Sequence, residues 1–173
     1  MTNLETPTTG ETRKKEIERK FLITDELPEG FLDHFARAKI RQGYLPVRAV
    51  GNEERVRHTK TYRGDDVYTR TRKQGAGIVR EETEKVITRK VFDALWEKVE
   101  GIVEKTRYEL PYEGSVIEYD VYGGALEGLK VAEVEFADED QAQAFEPPNW
   151  FGEEVTGNPD FSNHSLATSG SPI

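Results

Sequence analysis

Short segments in which apolar and polar residues alternate make up most of this chain. In the first segment, an extended strand would place Ile17, Phe21 and Ile23 on one face, because successive side chains of a strand point to opposite sides. The other face would receive Glu16, Glu18, Lys20 and Leu22. Segments of this kind, separated by turn residues, predict eight strands at about 15–23, 38–48, 53–62, 66–73, 78–87, 102–111, 115–122 and 128–137.

A helical period replaces the alternation between residues 88 and 100. The apolar side chains that share one helical face there are Val91, Phe92, Leu95, Trp96 and Val99. Shorter helices are expected at 25–36 and at 138–145, the second opening with Asp138, which suits a helix N-terminus. Eight strands joined mostly by short turns favour an antiparallel sheet that closes or nearly closes. The predicted fold class is therefore mainly β with flanking helices (α+β).

The chain of 173 residues is long enough for one domain with a sizeable core. We place that domain at 13–166, and we expect residues 1–12 and 167–173, which are polar and aperiodic or rich in Ser and Gly, to be disordered tails. No apolar run approaches the ~18–20 residues that cross a bilayer, and no signal segment opens the chain. A soluble, cytoplasmic protein without a membrane partner is expected.

Charge and composition exclude several classes of function. With 24 Lys and Arg against 33 Asp and Glu, the net charge is -9, which argues against binding duplex nucleic acid through a broad basic face. The absence of cysteine excludes disulfides, thiolate catalysis, iron–sulfur clusters and Cys-rich zinc sites. The three histidines are scattered along the chain, so a bound metal should be a hard cation held by carboxylates, Mg²⁺ or Mn²⁺ before Zn²⁺.

Charged pairs at i, i+2 spacing recur on most of the predicted strands. If their charged faces meet on one surface, it holds the acids Glu16, Glu18, Glu82, Glu84, Glu118, Asp120, Glu133 and Glu135. It also holds the bases Lys20, Arg55, Arg57, Lys73, Arg80, Lys105 and Arg107. Mutual ion pairing would be a purely structural explanation, but buried ion pairs often fail to recover their desolvation cost. A ligand that needs both signs, a metal–oligophosphate complex, is therefore favoured.

The strand Glu16-Ile17-Glu18-Arg19-Lys20 resembles the ExExK signature of the CYTH superfamily, the triphosphate tunnel metalloenzymes. The resemblance extends through most of the domain, over Arg55-x-Arg57, Thr71-x-Lys73, Arg80-x-Glu82-x-Glu84, 104–108, Glu118-x-Asp120 and 131–136. The segment at 147–156 is similar to the compact bacterial branch, of the inorganic triphosphatase type. The family fold is an eight-stranded antiparallel closed barrel with a charged lumen and helices outside, which agrees with the fold class predicted above.

The resemblance also implies roles for individual residues. The metal-ligating acids would be Glu16, Glu18, Glu133 and Glu135, assisted by Asp120 and by Glu82 or Glu84. The substrate-binding bases would be Lys20, Arg55, Arg57, Lys73 and Arg107, with Arg80 as a further candidate. Of these, Glu16, Glu18, Lys20 and Lys73 are the predicted catalytic residues. A basic residue near the C-terminus often completes the phosphate site in this branch, and His164 occupies the corresponding position.

The activity implied by the resemblance is metal-dependent hydrolysis of the terminal phosphoanhydride of a triphosphate, with two Mg²⁺ or Mn²⁺ ions and inorganic tripolyphosphate as the preferred substrate. A homodimer is the assembly expected from the resemblance. Other readings stay open at this point. They are a class IV adenylyl cyclase, a thiamine or nucleoside triphosphatase, and a polyphosphate-binding module without turnover. No segment clearly supplies adenine recognition, and an anion binder would gain nothing from so many acids.

Overall fold

The structure is a computed structural model that describes residues 10–47, 49, 51–75 and 78–173. It contains eight strands: β1 (Glu11–Leu22), β2 (Ala36–Tyr44), β3 (Asn52–Thr61), β4 (Asp66–Gln74), β5 (Val79–Val86), β6 (Gly101–Tyr112), β7 (Ser115–Tyr122) and β8 (Lys130–Glu135). Most of the predicted N-terminal tail, residues 1–9, lies outside the described residues, as does residue 48 at the end of the predicted second strand. β1 begins two residues before the predicted domain boundary.

The eight strands form a closed barrel in the order β1-β5-β4-β3-β2-β6-β7-β8, with every neighbouring pair antiparallel. The predicted fold class is therefore confirmed. β1 closes the barrel with two different edges, because Glu11–Ile17 pairs with β5 and Glu18–Leu22 pairs with β8. The alternation of side chains then directs the charged face of each strand into the lumen, except in β2, where Ile40, Gln42 and Tyr44 face inward.

Three short α-helices lie outside the strands: α1 (Arg89–Trp96), α2 (Glu139–Ala144) and α3 (Asn163–Ser169). α1 and α2 correspond to the predicted helices at 88–100 and 138–145, whereas α3 was not predicted and extends past the expected boundary at residue 166. The helix predicted at 25–36 is wrong. Gly30 has a φ of 74°, which allows only a 3-10 turn at Phe31–His34 before β2 begins. No helix in the described ranges is long and apolar enough to cross a membrane.

The helices cover parts of the outer barrel surface. α1 packs Phe92 against Val56 of β3, with Trp96 beside them, and its N-cap Thr88 accepts a hydrogen bond from the backbone N–H of Val91. A second outer cluster covers β1, β7 and β8. Its members include Ile117, Tyr119, Ala132 and Val134 with Phe145, Trp150 and Phe151. These two clusters hold the helical layer against the sheet and leave the lumen to the charged residues.

One end of the lumen is closed by apolar side chains. This closed end consists of Leu22, Tyr44, Val103, Tyr122, Leu126, Leu129, Val131, Val155, Phe161 and Leu166. Four of its members, Leu22, Val103, Tyr122 and Val131, lie on the same strand faces as charged residues, two positions from the nearest one. The lumen is therefore charged in its middle and apolar where it ends.

The chain after α2 returns to β1 and completes the barrel wall. We call residues 152–169 the C-terminal segment. Its Gly152 N–H donates to the Leu22 carbonyl at 2.8 Å, the Leu22 N–H donates to Glu153 at 2.8 Å, and the Val155 N–H donates to Lys20 at 2.8 Å. Because β5 pairs with β1 only as far as Ile17, the C-terminal segment occupies the edge of β1 that β5 leaves free.

We expect Gly152→Ala to lower the free energy of unfolding by about 1–3 kcal/mol. A Cβ at this position would lie 2.7 Å from the Leu22 carbonyl oxygen, a backbone atom that cannot move aside without breaking the pairing just described. Urea denaturation would measure the loss. Gly123→Ala is the matched control, because a Cβ there meets nothing within 4 Å and the residue has an ordinary φ of -125°. Equal stability of the two variants would contradict the close packing of the C-terminal segment.

Candidate active site

A cavity of about 470 Å³ occupies the charged part of the lumen. It brings together every predicted site residue except Asp120: Glu16, Glu18, Lys20, Arg55, Arg57, Lys73, Arg80, Glu82, Glu84, Arg107, Glu133 and Glu135. Six of the eight strands contribute these side chains, because the i, i+2 doublets of each strand point to the same side of the sheet. Their common location gives the predicted residues one site in which to act.

Three carboxylates lie close enough to share one cation. Glu16, Glu18 and Glu135 each offer an oxygen, and these oxygens all lie within 4.8 Å of one another. Glu16 is buried, Glu18 is half-buried and Glu135 is exposed, so the group extends from the interior of the cavity to its opening. The Oε2 atom of Glu16 is buried without a hydrogen-bond partner. An oxygen-only donor set of this kind fits Mg²⁺ or Mn²⁺.

Glu18 has the least favourable environment for a charged carboxylate. Burial, together with the nearby charges of Glu133 and Glu16, raises the pKa of Glu18 from 4.5 to about 7. No Lys or Arg nitrogen lies within 4.0 Å of its carboxylate among the residues that the structure describes. A bound dication would supply the positive charge that this carboxylate lacks.

The other acids of the cavity, apart from Glu84, have basic partners within 4.0 Å. The Nζ of Lys73 lies 2.7 Å from Glu16 and 3.4 Å from Glu82, and the Nζ of Lys20 lies 3.2 Å from Glu133. Burial alone would raise the pKa values of Glu16 and Glu133, but Lys73 outweighs it for Glu16, and Lys20 with its neighbours outweighs it for Glu133, so both pKa values fall. These two acids are therefore ionised at neutral pH without a metal.

Arg55, which is buried, and Arg57, which is half-buried, lack an acidic partner. Arg55 and Arg57 have no carboxylate oxygen within 4.0 Å in the described part of the chain, and the Nε of Arg55 is buried without a hydrogen-bond partner. The Nε of Arg57 donates instead to the neutral side chain of Gln42 at 2.9 Å. Burial and the charges of Arg55 and Arg107 lower the pKa of Arg57 to about 10. Arg55, Arg57 and Arg107, which we call the arginine cluster, therefore concentrate positive charge and favour the binding of an anion.

Arg107 is held by acids on all sides. Its Nε and Nη2 donate to the two oxygens of Asp120 at 2.7 Å each, Nη1 lies 2.6 Å from Glu118, and Nη2 lies 3.3 Å from Glu133. Asp120 also accepts a hydrogen bond of 2.6 Å from the Nζ of Lys105. Asp120 has no exposed surface and does not line the cavity, so the structure does not place this predicted metal ligand beside the other acids.

Glu82, Glu84 and Arg80 line the cavity but lie outside the group of three carboxylates. Glu84 accepts a hydrogen bond of 3.0 Å from the hydroxyl of Thr71, and Glu82 lies 3.4 Å from the Nζ of Lys73. The Nη1 of Arg80 lies 3.7 Å from Glu53, while its Nε is buried without a hydrogen-bond partner. Metal binding by the two acids and phosphate binding by Arg80 stay predictions.

Several cavity residues were missed from the sequence. The Nζ of Lys14 lies 3.2 Å from Glu135, and Lys14 is on the same face of β1 as Glu16. It was missed because it precedes the predicted start of the first strand. Glu53 shares the face of Arg55, so the alternation could have identified it. The C-terminal segment adds a wall of mostly neutral groups: Val155–Pro159 and Ser162–His164. The resemblance had already indicated His164 and the segment up to residue 156, whereas 157–159 and 162–163 carry no local signal. The ring of His164 packs edge-on against Tyr44, with 5.4 Å between ring centroids.

No protein-family model matches the chain. A protein from Nitrosomonas europaea named inorganic triphosphatase is 45% identical over 157 residues, which cover 89% of this chain and 97% of that protein. A protein of the same name from Acetivibrio thermocellus is 32% identical over 160 residues, which cover 88% of this chain and 92% of that protein. A crystal structure of an inorganic triphosphatase has 40% sequence identity and a TM-score of 0.61. The match covers 89% of this chain and 95% of that chain. On this similarity over nearly its whole length, the chain belongs to the inorganic triphosphatase family.

Proposed function

We propose that this protein hydrolyses inorganic tripolyphosphate to pyrophosphate and orthophosphate. The observation that carries the proposal is that one cavity holds buried or half-buried charges of both signs that have no partner of opposite charge. Arg55 and Arg57 lack acids, and Glu18 lacks a base. Because a buried charge without a partner is costly, each sign calls for a ligand of the other. A triphosphate with its divalent metal supplies both.

The arginines would bind the phosphate oxygens. A guanidinium group matches two phosphate oxygens with parallel hydrogen bonds, and Arg55, Arg57 and Arg107 surround the same part of the lumen. A bound polyanion would relieve the mutual repulsion that lowers the pKa of Arg57. Lys20 and Lys73 add positive charge near the acids, where they would stabilise the negative charge of the transferred phosphoryl group.

Glu16, Glu18 and Glu135 would hold a divalent cation, Mg²⁺ or Mn²⁺, and Glu133, Glu82 and Glu84 are the remaining acids available to a second one. Such ions neutralise phosphate charge and lower the pKa of a bound water. The chain's own residues orient the substrate, exclude bulk water and accept the proton of the attacking water. The candidate acceptors are Lys73 and the four acids Glu16, Glu18, Glu133 and Glu135.

The similarity to inorganic triphosphatases supports the choice of substrate. We place the protein in the compact bacterial branch of the triphosphate tunnel metalloenzymes. A homodimer and a cytoplasmic location stay predictions.

Product identity tests the proposal. Purified protein with Mg²⁺ or Mn²⁺ should convert tripolyphosphate to pyrophosphate and orthophosphate, measured by ion chromatography, and chelator should abolish the reaction. Attack at the terminal phosphorus predicts that any reaction with ATP gives ADP and orthophosphate, and that pyrophosphate, which cannot span the arginine cluster, is a poor substrate. Thiamine triphosphate serves as the comparison for organic triphosphates. Cyclic AMP from ATP, with tripolyphosphate left intact, would refute the proposal and support the cyclase alternative.

A further inference from the structure

The Lys105–Asp120 pair is the most deeply buried ion pair at the site. Both side chains have 0% exposed surface, and the Nζ of Lys105 lies 2.6 Å from the Oδ2 of Asp120. On its other side Asp120 receives two hydrogen bonds from Arg107 in parallel, the bidentate arrangement that fixes the plane of a guanidinium group. Asp120 thus joins a lysine that does not line the cavity to an arginine that does.

The environment of Asp120 does not suit a metal ligand. Three cationic N–H donors already take most of the roughly four acceptor positions that a carboxylate offers. The carboxylate lies beside the apolar closed end of the lumen, where Tyr122 follows two positions later on the same strand face. The acids that do come within 4.8 Å of one another are Glu16, Glu18 and Glu135.

We propose that Asp120 is a positioning residue, which with Lys105 fixes the guanidinium of Arg107 for phosphate binding, and that it does not ligate the metal. The inference rests on the proposed function. Arg107 is drawn toward Glu118 at 2.6 Å and Glu133 at 3.3 Å, so without Asp120 its side chain would turn toward these acids. Lys105 neutralises Asp120, so that Asp120 can hold Arg107 without cancelling the positive charge that the arginine presents to phosphate.

Two separate titrations test this inference without turnover. Calorimetry with Mn²⁺ alone measures the affinity of the three carboxylates for a cation. Calorimetry with tripolyphosphate in EDTA measures the affinity of the arginines and lysines of the cavity for the anion. We expect Asp120→Asn to leave the Mn²⁺ affinity unchanged within error and to weaken tripolyphosphate binding about tenfold or more, as the loss of an orienting partner typically does. Glu135→Gln is the matched control, for which we expect the opposite pattern. In an Arg107→Lys background, Asp120→Asn should have little further effect on tripolyphosphate binding.

Asp120→Asn leaves Lys105 and Arg107 short of a buried counter-ion and can impair folding. The double variant Lys105→Met/Asp120→Asn removes one charge of each sign and keeps the buried net charge constant. We expect it to show the same pattern, with Mn²⁺ affinity retained and tripolyphosphate affinity reduced. Loss of Mn²⁺ affinity in this double variant, or undiminished tripolyphosphate binding, would overturn the inference. Wild-type protein that neither binds nor hydrolyses tripolyphosphate would overturn the proposed function and this inference with it.

Discussion

Glu18→Gln is expected to reduce kcat/KM for tripolyphosphate at least about 100-fold, since losing a metal ligand should cost no less than losing the outer partner of one. Glu18 belongs to the group of three carboxylates, and the glutamine keeps its shape but not its charge. Steady-state kinetics at limiting Mn²⁺ would measure the loss. Glu81→Gln, an exposed change on the outer face of β5, is the matched control and should leave kcat/KM unchanged. A Glu18→Gln enzyme with normal kcat/KM at limiting metal would remove Glu18 from the metal site.

The same substitution is expected to raise the melting temperature of the metal-free protein at pH 8. Because folding raises the pKa of Glu18 from 4.5 to about 7, the wild type loses stability as the pH rises through this range, and the full penalty applies above it. Glutamine carries no such penalty. The melting temperature of the variant in EDTA should therefore exceed that of the wild type more at pH 8 than at pH 5. A difference that does not depend on pH would contradict the unfavourable environment of Glu18.

Arg55→Lys is expected to lower kcat/KM by on the order of 100-fold, although the charge is conserved, because a misplaced contact to the reacting group can cost this much. Lysine cannot reproduce the two parallel hydrogen bonds of a guanidinium group. Arg55 is buried and has no acidic partner within 4.0 Å among the described residues, so the substitution breaks no ion pair seen there. Kinetics should show a raised KM, with kcat lowered as well if Arg55 contacts the transferred phosphoryl group.

Arg72→Lys is the matched control for Arg55→Lys. Arg72 lies on the outer face of the neighbouring strand β4, its side chain is 63% exposed, and its contact with Glu54 is long, at 3.7 Å. We expect it to leave kcat/KM unchanged. If Arg55→Lys retained full kcat/KM as well, Arg55 would be a structural residue of the barrel, and the anion-binding part of the proposed function would need another set of residues.

The facing of side chains is the part of this fold that the local sequence determines best. A shift of one residue would exchange the two faces of a strand, so the doublets Arg55-x-Arg57 and Glu133-x-Glu135 assign whole strands to the lumen. The order in which the strands pair, by contrast, does not follow from the local sequence. β2 pairs with β6 because of contacts between distant parts of the chain, and no local pattern encodes them. The alternation and the short turns predicted eight strands in a sheet that closes or nearly closes, and the resemblance decided for the fully closed barrel.

Depth along the lumen is the property of the site that alternation cannot reveal. Glu118 and Asp120 share one face of β7, yet Glu118 lines the cavity and Asp120 lies below it near the apolar end. Neutral residues such as Gln42 carry no signal in a pattern of charges, although Gln42 holds Arg57. The helix α3 was missed because its seven residues bury only Leu166, which is too little to establish a helical period.

The way in which the C-terminal segment completes β1 also bears on how the protein reaches its folded state. The contacts that seal the barrel join residues far apart along the chain, as in the pair of Arg19 and Glu154, which are 135 residues apart. Closing such long loops costs entropy before any contact repays it, so folding is slow by comparison with helical bundles. Until Gly152–Val155 docks, β1 beyond Ile17 presents unpaired N–H and C=O groups to other chains. Refolding therefore competes with intermolecular strand pairing, and the docking that removes this hazard also completes the wall of the cavity.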